Sequence, residues 1–209
     1  MIIAVDGPAA SGKGTIARAL AAHYKLPHLD TGLLYRAVGR TVLDRGGDPA
    51  SEADAVAACD FEDALLADSR LKESVAGNAA SVVSAHPKVR EALIARQRAF
   101  ATQPGGAVLD GRDIGTVIAP EADAKLFVRA TSAIRARRRH DELVRAGSKI
   151  SYDKVLADIK ARDLRDSTRS VAPLRQAPDA ALLDTSYMSI ESAIAHAIKL
   201  VERGIAARQ

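Results

Sequence analysis

Tryptophan is absent from this 209-residue chain, and four tyrosines and three phenylalanines are its whole aromatic complement. Proteins that hold single-stranded nucleic acid stack bases on aromatic rings. A nucleic-acid partner is therefore not expected, although basic helices could still meet phosphates without rings. The single cysteine, Cys59, excludes an internal disulfide and any multi-cysteine metal cluster, and it reads as a small core residue in a reducing compartment. No apolar run approaches the roughly 20 residues of a membrane span. The chain opens Met1-Ile2-Ile3-Ala4-Val5 without a basic leader, so a cytoplasmic protein with no membrane partner is expected. The one asparagine, Asn78, is followed by two alanines. That excludes the Asn-Lys-x-Asp base-reading motif of guanine-specific switch proteins.

What is present is ample Ala, Val, Leu and Ile with both signs of charge, enough to bury a core. The net charge of +4 speaks to steering and solubility rather than to a site. Short apolar runs alternate with helical stretches. Ile2 to Asp6, Pro27 to Thr31, Ala107 to Asp110, Ala124 to Val128 and Ala180 to Leu183 read as strands. Helices are predicted over Thr15 to His23, Leu33 to Arg45, after Pro87, near Thr131, and over Ser189 to Glu202, the last with Ile190, Ile194, Ile198 and Val201 on one face. Parallel strands need crossovers and are covered on both faces. The pattern predicts an α/β three-layer sandwich with a five-stranded parallel sheet, whose ligands bind at the carboxyl ends of the strands. Ser51 to Gly77 and the charged stretch from Arg135 to Arg169 interrupt the alternation as candidate mobile flaps.

Gly7-Pro8-Ala9-Ala10-Ser11-Gly12-Lys13-Gly14-Thr15 lies between the first strand and the first helix, the setting of a phosphate-binding loop. Backbone N–H groups and the helix N-terminus hold phosphate oxygens there, and Lys13 reaches the outer phosphates. The strict pattern has a hydroxyl after the lysine, where this chain has Gly14. Magnesium would then be held mainly by phosphates and water, with Thr15 touching phosphate and Asp110 orienting the ion through water.

Three further clusters follow predicted strands or helices. Asp30-Thr31-Gly32-Leu33-Leu34-Tyr35-Arg36 places a hydroxyl, a glycine and an arginine at a helix start, where Thr31 could equally be a simple cap. Asp110-Gly111-Arg112-Asp113-Ile114-Gly115-Thr116 puts two carboxylates and a guanidinium on one turn, with glycines that admit a ligand. In Arg162-Asp163-Leu164-Arg165-Asp166-Ser167-Thr168-Arg169, helical spacing gathers Arg162, Arg165 and Arg169 within about 60° on one face, where like charges repel unless an anion joins them. The alternative is a solvated face with Asp158–Arg162 and Asp166–Arg169 pairs. Arg135, Arg138 and Arg139 form a similar stripe one helix earlier.

After a P-loop, Thr31-Gly32-x-x-x-Arg36 resembles the nucleoside monophosphate kinases, in which this arginine meets the acceptor phosphate. Asp110 to Thr116, together with Asn78 to Ser81 and Val89-Arg90-Glu91-Ala92-Leu93, looks like the bacterial cytidylate kinase family. The resemblance runs from about Ile2 to Val201. It departs at Phe61 to Gly77, where the family carries a β-rich insertion and this chain is short and charged, and at Thr31, where the family has Ser.

The resemblance implies a single P-loop kinase domain over 1–209, with a core of 1–50, 78–134 and 170–209, a reduced acceptor-side flap at about 51–77 and a lid at about 135–169. It implies ATP as phosphoryl donor with Mg2+, CMP or dCMP as acceptor, and a monomer. Lys13, Arg112, Arg162 and Arg169 would stabilise the transition state. Gly7 to Thr15 and Arg138 would hold ATP, and Thr31, Tyr35, Arg36, Arg90, Arg112, Asp113, Arg162, Asp166 and Arg169 would hold CMP. Asp113 and Thr31 would accept from the cytosine amino group, Arg90 would donate to the ring acceptors, and Asp166 or nearby lid arginines would meet the ribose.

Overall fold

The computed structural model describes residues 1–208. Five strands, β1 (Ile2–Asp6), β2 (His28–Asp30), β3 (Ala107–Gly111), β4 (Ala124–Arg129) and β5 (Ala181–Asp184), form one parallel sheet in the order β2-β3-β1-β4-β5. Beta-branched and aliphatic side chains alternate across it. Ile3 and Val5 face a cluster with Ile16, Leu20, Ala197 and Val201, while Ala4 and Leu109 face Ala101, Ile114 and Ile118. Both faces are therefore dry, as an all-parallel sheet requires.

Helix α1 (Lys13–Tyr24) and the last helix, α8 (Ile190–Ala206), cover the first face; α5 (Pro87–Ala101) covers the second. The stripe expected on α8 is shifted. Ile190 is 62% exposed, whereas Ala193, Ala197 and Val201 are buried. Small side chains let this helix lie close to β4, and the larger Ile198 and Ile205 pack at its flank.

Helix α2 (Thr31–Asp44) carries a second cluster of Leu34, Val38 and Val42 against Val83, Val89 and Leu93. Residues 51–77 fold as α3 (Glu52–Ala57), two short 3-10 turns at Asp63–Ala67 and Ser69–Lys72, and the start of α4 (Ser74–Val83). The only regular elements of the segment are helical, in keeping with its lack of β-branched runs. Gly39 is what lets α4 dock on α2, since a Cβ there would stand 2.8 Å from that of Ala79.

Helices α6 (Ser132–Arg145) and α7 (Tyr152–Thr168) pair over the carboxyl edge of the sheet around Ala136, Val155 and Ile159, with Ala10 of the glycine-rich loop at their side. Among the described residues no helix is long and apolar enough to cross a membrane.

Candidate active site

Asp6 ends β1, and the chain turns at once into the loop 7–12. A side chain on Gly7 would strike the Val128 carbonyl at 2.1 Å, so only glycine fits against β4. Ala10 and Gly12 both take left-handed backbone, and Gly12 is the N-cap of α1. This curled backbone directs N–H groups inward at a helix N-terminus, the geometry of an anion nest. Ser11 is fully buried and its Oγ has no hydrogen-bond partner.

Lys13 opens α1 half-buried, its Nζ 3.5 Å from the Pro8 carbonyl, rather than exposed on the loop. Burial first and then the charge of Arg112 bring its pKa down to about 8. Thr15 is exposed and lies 3.5 Å from Arg18.

The carboxyl ends of β2 and β3 build the next wall. Asp30, not Thr31, caps α2, accepting from the Gly32 N–H at 2.9 Å. Thr31 is instead the first helical residue and donates its Oγ hydrogen to the Asp110 carbonyl at 2.9 Å. Asp110 is buried, and its Oδ1 meets His28 Nε2 at 2.8 Å. Its Oδ2 lies 3.7 Å from where a side chain on Gly14 would begin. A carboxylate thus faces the spot where the strict loop pattern has a hydroxyl. Asp30 joins it, its pKa raised by burial and by Asp110. The pairing of Asp30 with Asp110 and the contact to His28 were not read from the sequence, because only the register of β2 on β3 brings them together.

The turn after β3 is a π-type turn, Ile114–Ile118, with Asp113 at its start. Arg112 donates its Nε hydrogen to Asp166 at 2.8 Å. Asp113 pairs with Arg90, which is itself buried, donates toward the Ser84 carbonyl at 3.4 Å, and sits 5.5 Å over the Tyr35 ring. Arg169 approaches Asp113 at 3.7 Å. Thr31, Tyr35, Arg90, Arg112, Asp113, Arg162, Asp166 and Arg169 line one cavity of about 40 Å³, together with Ala80 from the Asn78 to Ser81 segment and with Ser84, which the sequence did not single out.

Arg36 stands apart from that cavity. It donates to the Leu71 carbonyl at 2.7 Å and shares with Arg139 and Arg162 a cleft of about 520 Å³ between the loop, α4 and the two lid helices.

The lid arginines separate by role. Arg169 is not on the helix face expected of it. Helix α7 stops at Thr168, and Arg169 is the extended C-cap, its Nε hydrogen donated to the Ala172 carbonyl at 2.6 Å. Arg165 turns to the Ser81 hydroxyl at 3.2 Å. Asp158 pairs with Lys154 at 2.7 Å and Asp166 with Arg112, so the solvated-face pairing does not form.

Arg135 is buried against Asp163 at 2.9 Å and against the Ala9 carbonyl at 3.1 Å, a bracing pair that needs both lid helices folded. Arg138 donates to the Thr185 carbonyl at 2.6 Å and toward the Ser11 carbonyl at 3.4 Å, holding the loop after β5 against the phosphate loop.

Arg162 lies 3.9 Å from Asp166, its Nε without a hydrogen-bond partner, and burial first and then Arg112 bring its pKa down to about 9. Arg169 Nη2 is likewise unpartnered. Unsatisfied buried donors are costly. Here the unpartnered Ser11 Oγ belongs to the glycine-rich loop, and the unpartnered donors Arg162 Nε and Arg169 Nη2 belong to side chains that line the small cavity. Such an arrangement can bind two phosphorylated groups and spread positive charge over a phosphoryl group moving between them.

A glycine-rich loop on a parallel sheet, a loop lysine and a ring of arginines under a helical lid define a P-loop phosphotransferase. The family model described as cytidylate kinase matches residues 3–203. A cytidylate kinase of Xanthobacter autotrophicus is 58% identical over 208 residues, covering all of both chains, and one of Rhodopseudomonas palustris is 55% identical over all of this chain and 99% of its own. Among solved structures, a gluconokinase from Sinorhizobium meliloti superposes with a TM-score of 0.55 over 99% of this chain and 94% of its own, at 15% identity, a likeness of fold alone. This chain belongs to the cytidylate kinase family.

Proposed function

We propose that this protein transfers the γ-phosphate of ATP to CMP or dCMP, giving ADP and CDP or dCDP, through the residues just described. The observation that carries the reading is the pair of unpartnered buried arginine donors lining the small cavity, with Lys13 of the phosphate loop close enough to Arg112 and Arg162 to feel their charge. A phosphate acceptor is already mostly dianionic near neutral pH, its second pKa being about 6, so no general base is required. Catalysis is then in-line positioning and charge stabilisation.

Residues 7–15, the loop and the head of α1, and Arg138 hold ATP. Arg36, Arg112, Arg162 and Arg169 meet the acceptor phosphate and the group in flight. Thr31, Arg90 and Asp113 read cytosine. The buried Arg90–Asp113 pair presents guanidinium hydrogens beside carboxylate oxygens, the complement of a base edge that carries ring acceptors next to an amino group. Asp166, held by Arg112, is aimed at the ribose.

Among the described residues no cluster of three His, Cys, Asp or Glu side chains is arranged to hold a metal ion. The Asp110 carboxylate opposite Gly14 fits an ion kept by phosphates and water rather than by protein ligands. Magnesium, when bound with ATP, supplies charge neutralisation across the outer phosphates.

The small cavity of about 40 Å³ is far below the roughly 300 Å³ of a nucleotide-sized site. The flap at 51–77 and the lid at 135–169 therefore move apart to admit ligand and close over it. We read the protein as a cytoplasmic monomer. ADP release measured across CMP, dCMP, UMP and AMP tests the assignment: turnover with both cytidylates and little with the others is expected. Preference for AMP, or no turnover with any monophosphate, would overturn it.

A further inference from the structure

Asp6 carries none of the roles given above, yet it is a carboxylate buried at the carboxyl end of the central strand. Its two oxygens accept one backbone hydrogen each, Oδ1 from Ile114 and Oδ2 from Gly115, both at 2.8 Å. These N–H groups open the turn whose preceding residues are Arg112 and Asp113. On its other side the Asp6 main chain continues into Gly7, pressed on the Val128 carbonyl. One residue therefore holds the acceptor-side turn through its side chain and leads into the phosphate loop through its main chain.

We propose that Asp6 is a positioning residue that locks the acceptor-reading turn to the phosphate loop, setting where Arg112 and Asp113 stand relative to the donor phosphates.

The cage around it has little slack. A Cβ on Gly115 would lie 3.1 Å from Lys125 Cδ and 3.4 Å from Asp6 Oδ2. The charged groups facing Asp6 are Asp113 and Arg112 from the turn, while the Lys125 stem passes on the β4 side with its ammonium drawn to Asp179 at 2.8 Å. Burial pushes the Asp6 carboxyl up to about 7, against the pull of its two N–H donors. A buried carboxylate that costly to ionise is poorly explained as a stabilising core residue. Two converging backbone donors are the reason a carboxylate suits the position, since an amide can accept from only one while its own N–H₂ confronts the other.

The inference rests on the proposed cytidylate kinase activity. Asp6→Asn is expected to raise KM for CMP at least tenfold while the Kd for ATP, measured without acceptor, shifts less than twofold. In the same protein, amide hydrogen exchange at Gly115 should speed up more than exchange at Val108 of the neighbouring strand. Should Asp6→Asn not fold, Gly115→Ala, which crowds the same contact with Asp6 intact, is expected to raise KM for CMP about threefold or more with ATP binding unchanged. KM for CMP unmoved, or KM for CMP and Kd for ATP rising in proportion, would overturn the positioning role. Wild-type protein without CMP-dependent ADP release would sink the functional reading instead, so the two failures are separable.

Discussion

Asp113→Asn probes base choice and stability at once. On the proposed reading the carboxylate faces the amino group of cytosine; uracil presents a carbonyl there and would leave two acceptors opposed. A site built to hydrogen-bond one group can reject its mismatch by 10⁴ or more, and a floor of at least ~100-fold in kcat/KM for CMP and dCMP over UMP is expected here. The amide can turn its N–H₂ toward the uracil carbonyl. The ratio should then fall below about tenfold, with most of the change coming from lost CMP activity.

The same change strips the charge from the partner of Arg90, which is 6% exposed and has only the Ser84 carbonyl besides. Removing one partner of a buried pair costs about 3–5 kcal/mol, and the amide keeps one hydrogen bond, so about 3 kcal/mol is the working figure. For a chain of this size each kcal/mol moves Tm by about 2–4 °C, giving roughly 6–12 °C in differential scanning fluorimetry. If Tm falls as expected while the CMP to UMP ratio stays put, Asp113 holds Arg90 and does not read the base. Equal use of UMP and CMP by the wild type would remove the reading altogether.

Lys13→Ala should abolish transfer with an intact circular dichroism spectrum; full activity would remove the loop assignment. The free-enzyme pKa of about 8 for Lys13 predicts that kcat/KM for ATP declines as pH rises through about 8, while kcat, which reports the phosphate-bound complex, holds to higher pH. Because this pKa is depressed from 10.5, the unfolded chain binds the proton more tightly, and Lys13 makes the ligand-free fold more stable as pH climbs through that window, which thermal melts with and without the Lys13→Ala change can isolate. Arg162→Ala should reduce kcat by two to three orders of magnitude, the usual size for one transition-state donor of about 3–4 kcal/mol, with ATP binding by calorimetry little changed; a change confined to KM would make Arg162 a binding residue only. Proteolysis at the exposed 145–147 segment between the lid helices should slow when ATP and CMP are both present, and equal cleavage with and without them would argue against closure.

All five strands were legible to within a residue or two because apolar runs between glycine-rich turns leave little ambiguity. The strand order was not, since nothing in the local pattern says that β1 lies between β3 and β4. The site divided in the same way. Lys13, Arg112, Asp113 and Asp166 sit on motifs that spacing exposes. The partners Arg90–Asp113 and Arg112–Asp166 are 23 and 54 residues apart, and only the family resemblance had put Arg90 beside Asp113. Helical periodicity misplaced Arg169 because it presumed that α7 continues one residue further than it does. The cap at Asp30 was missed in favour of Thr31, whose hydroxyl is taken by the Asp110 carbonyl. His28, Ser84 and Asp6 carry no motif of their own, and only their neighbours in space give them a role.

Arg135 joins α6, α7 and the glycine-rich loop through Asp163 and the Ala9 carbonyl, and that fastening is charged and centred on a buried guanidinium. On the opposite border the lid touches α4 through single contacts to hydroxyls, Arg139 to Ser74 at 3.4 Å and Arg165 to Ser81 at 3.2 Å. The two borders are mechanically unequal, a riveted side and a latched side. Under the proposed lid motion the helix pair is expected to part first from α4, where the wide cleft lies, once the buried Arg112–Asp166 pair is released.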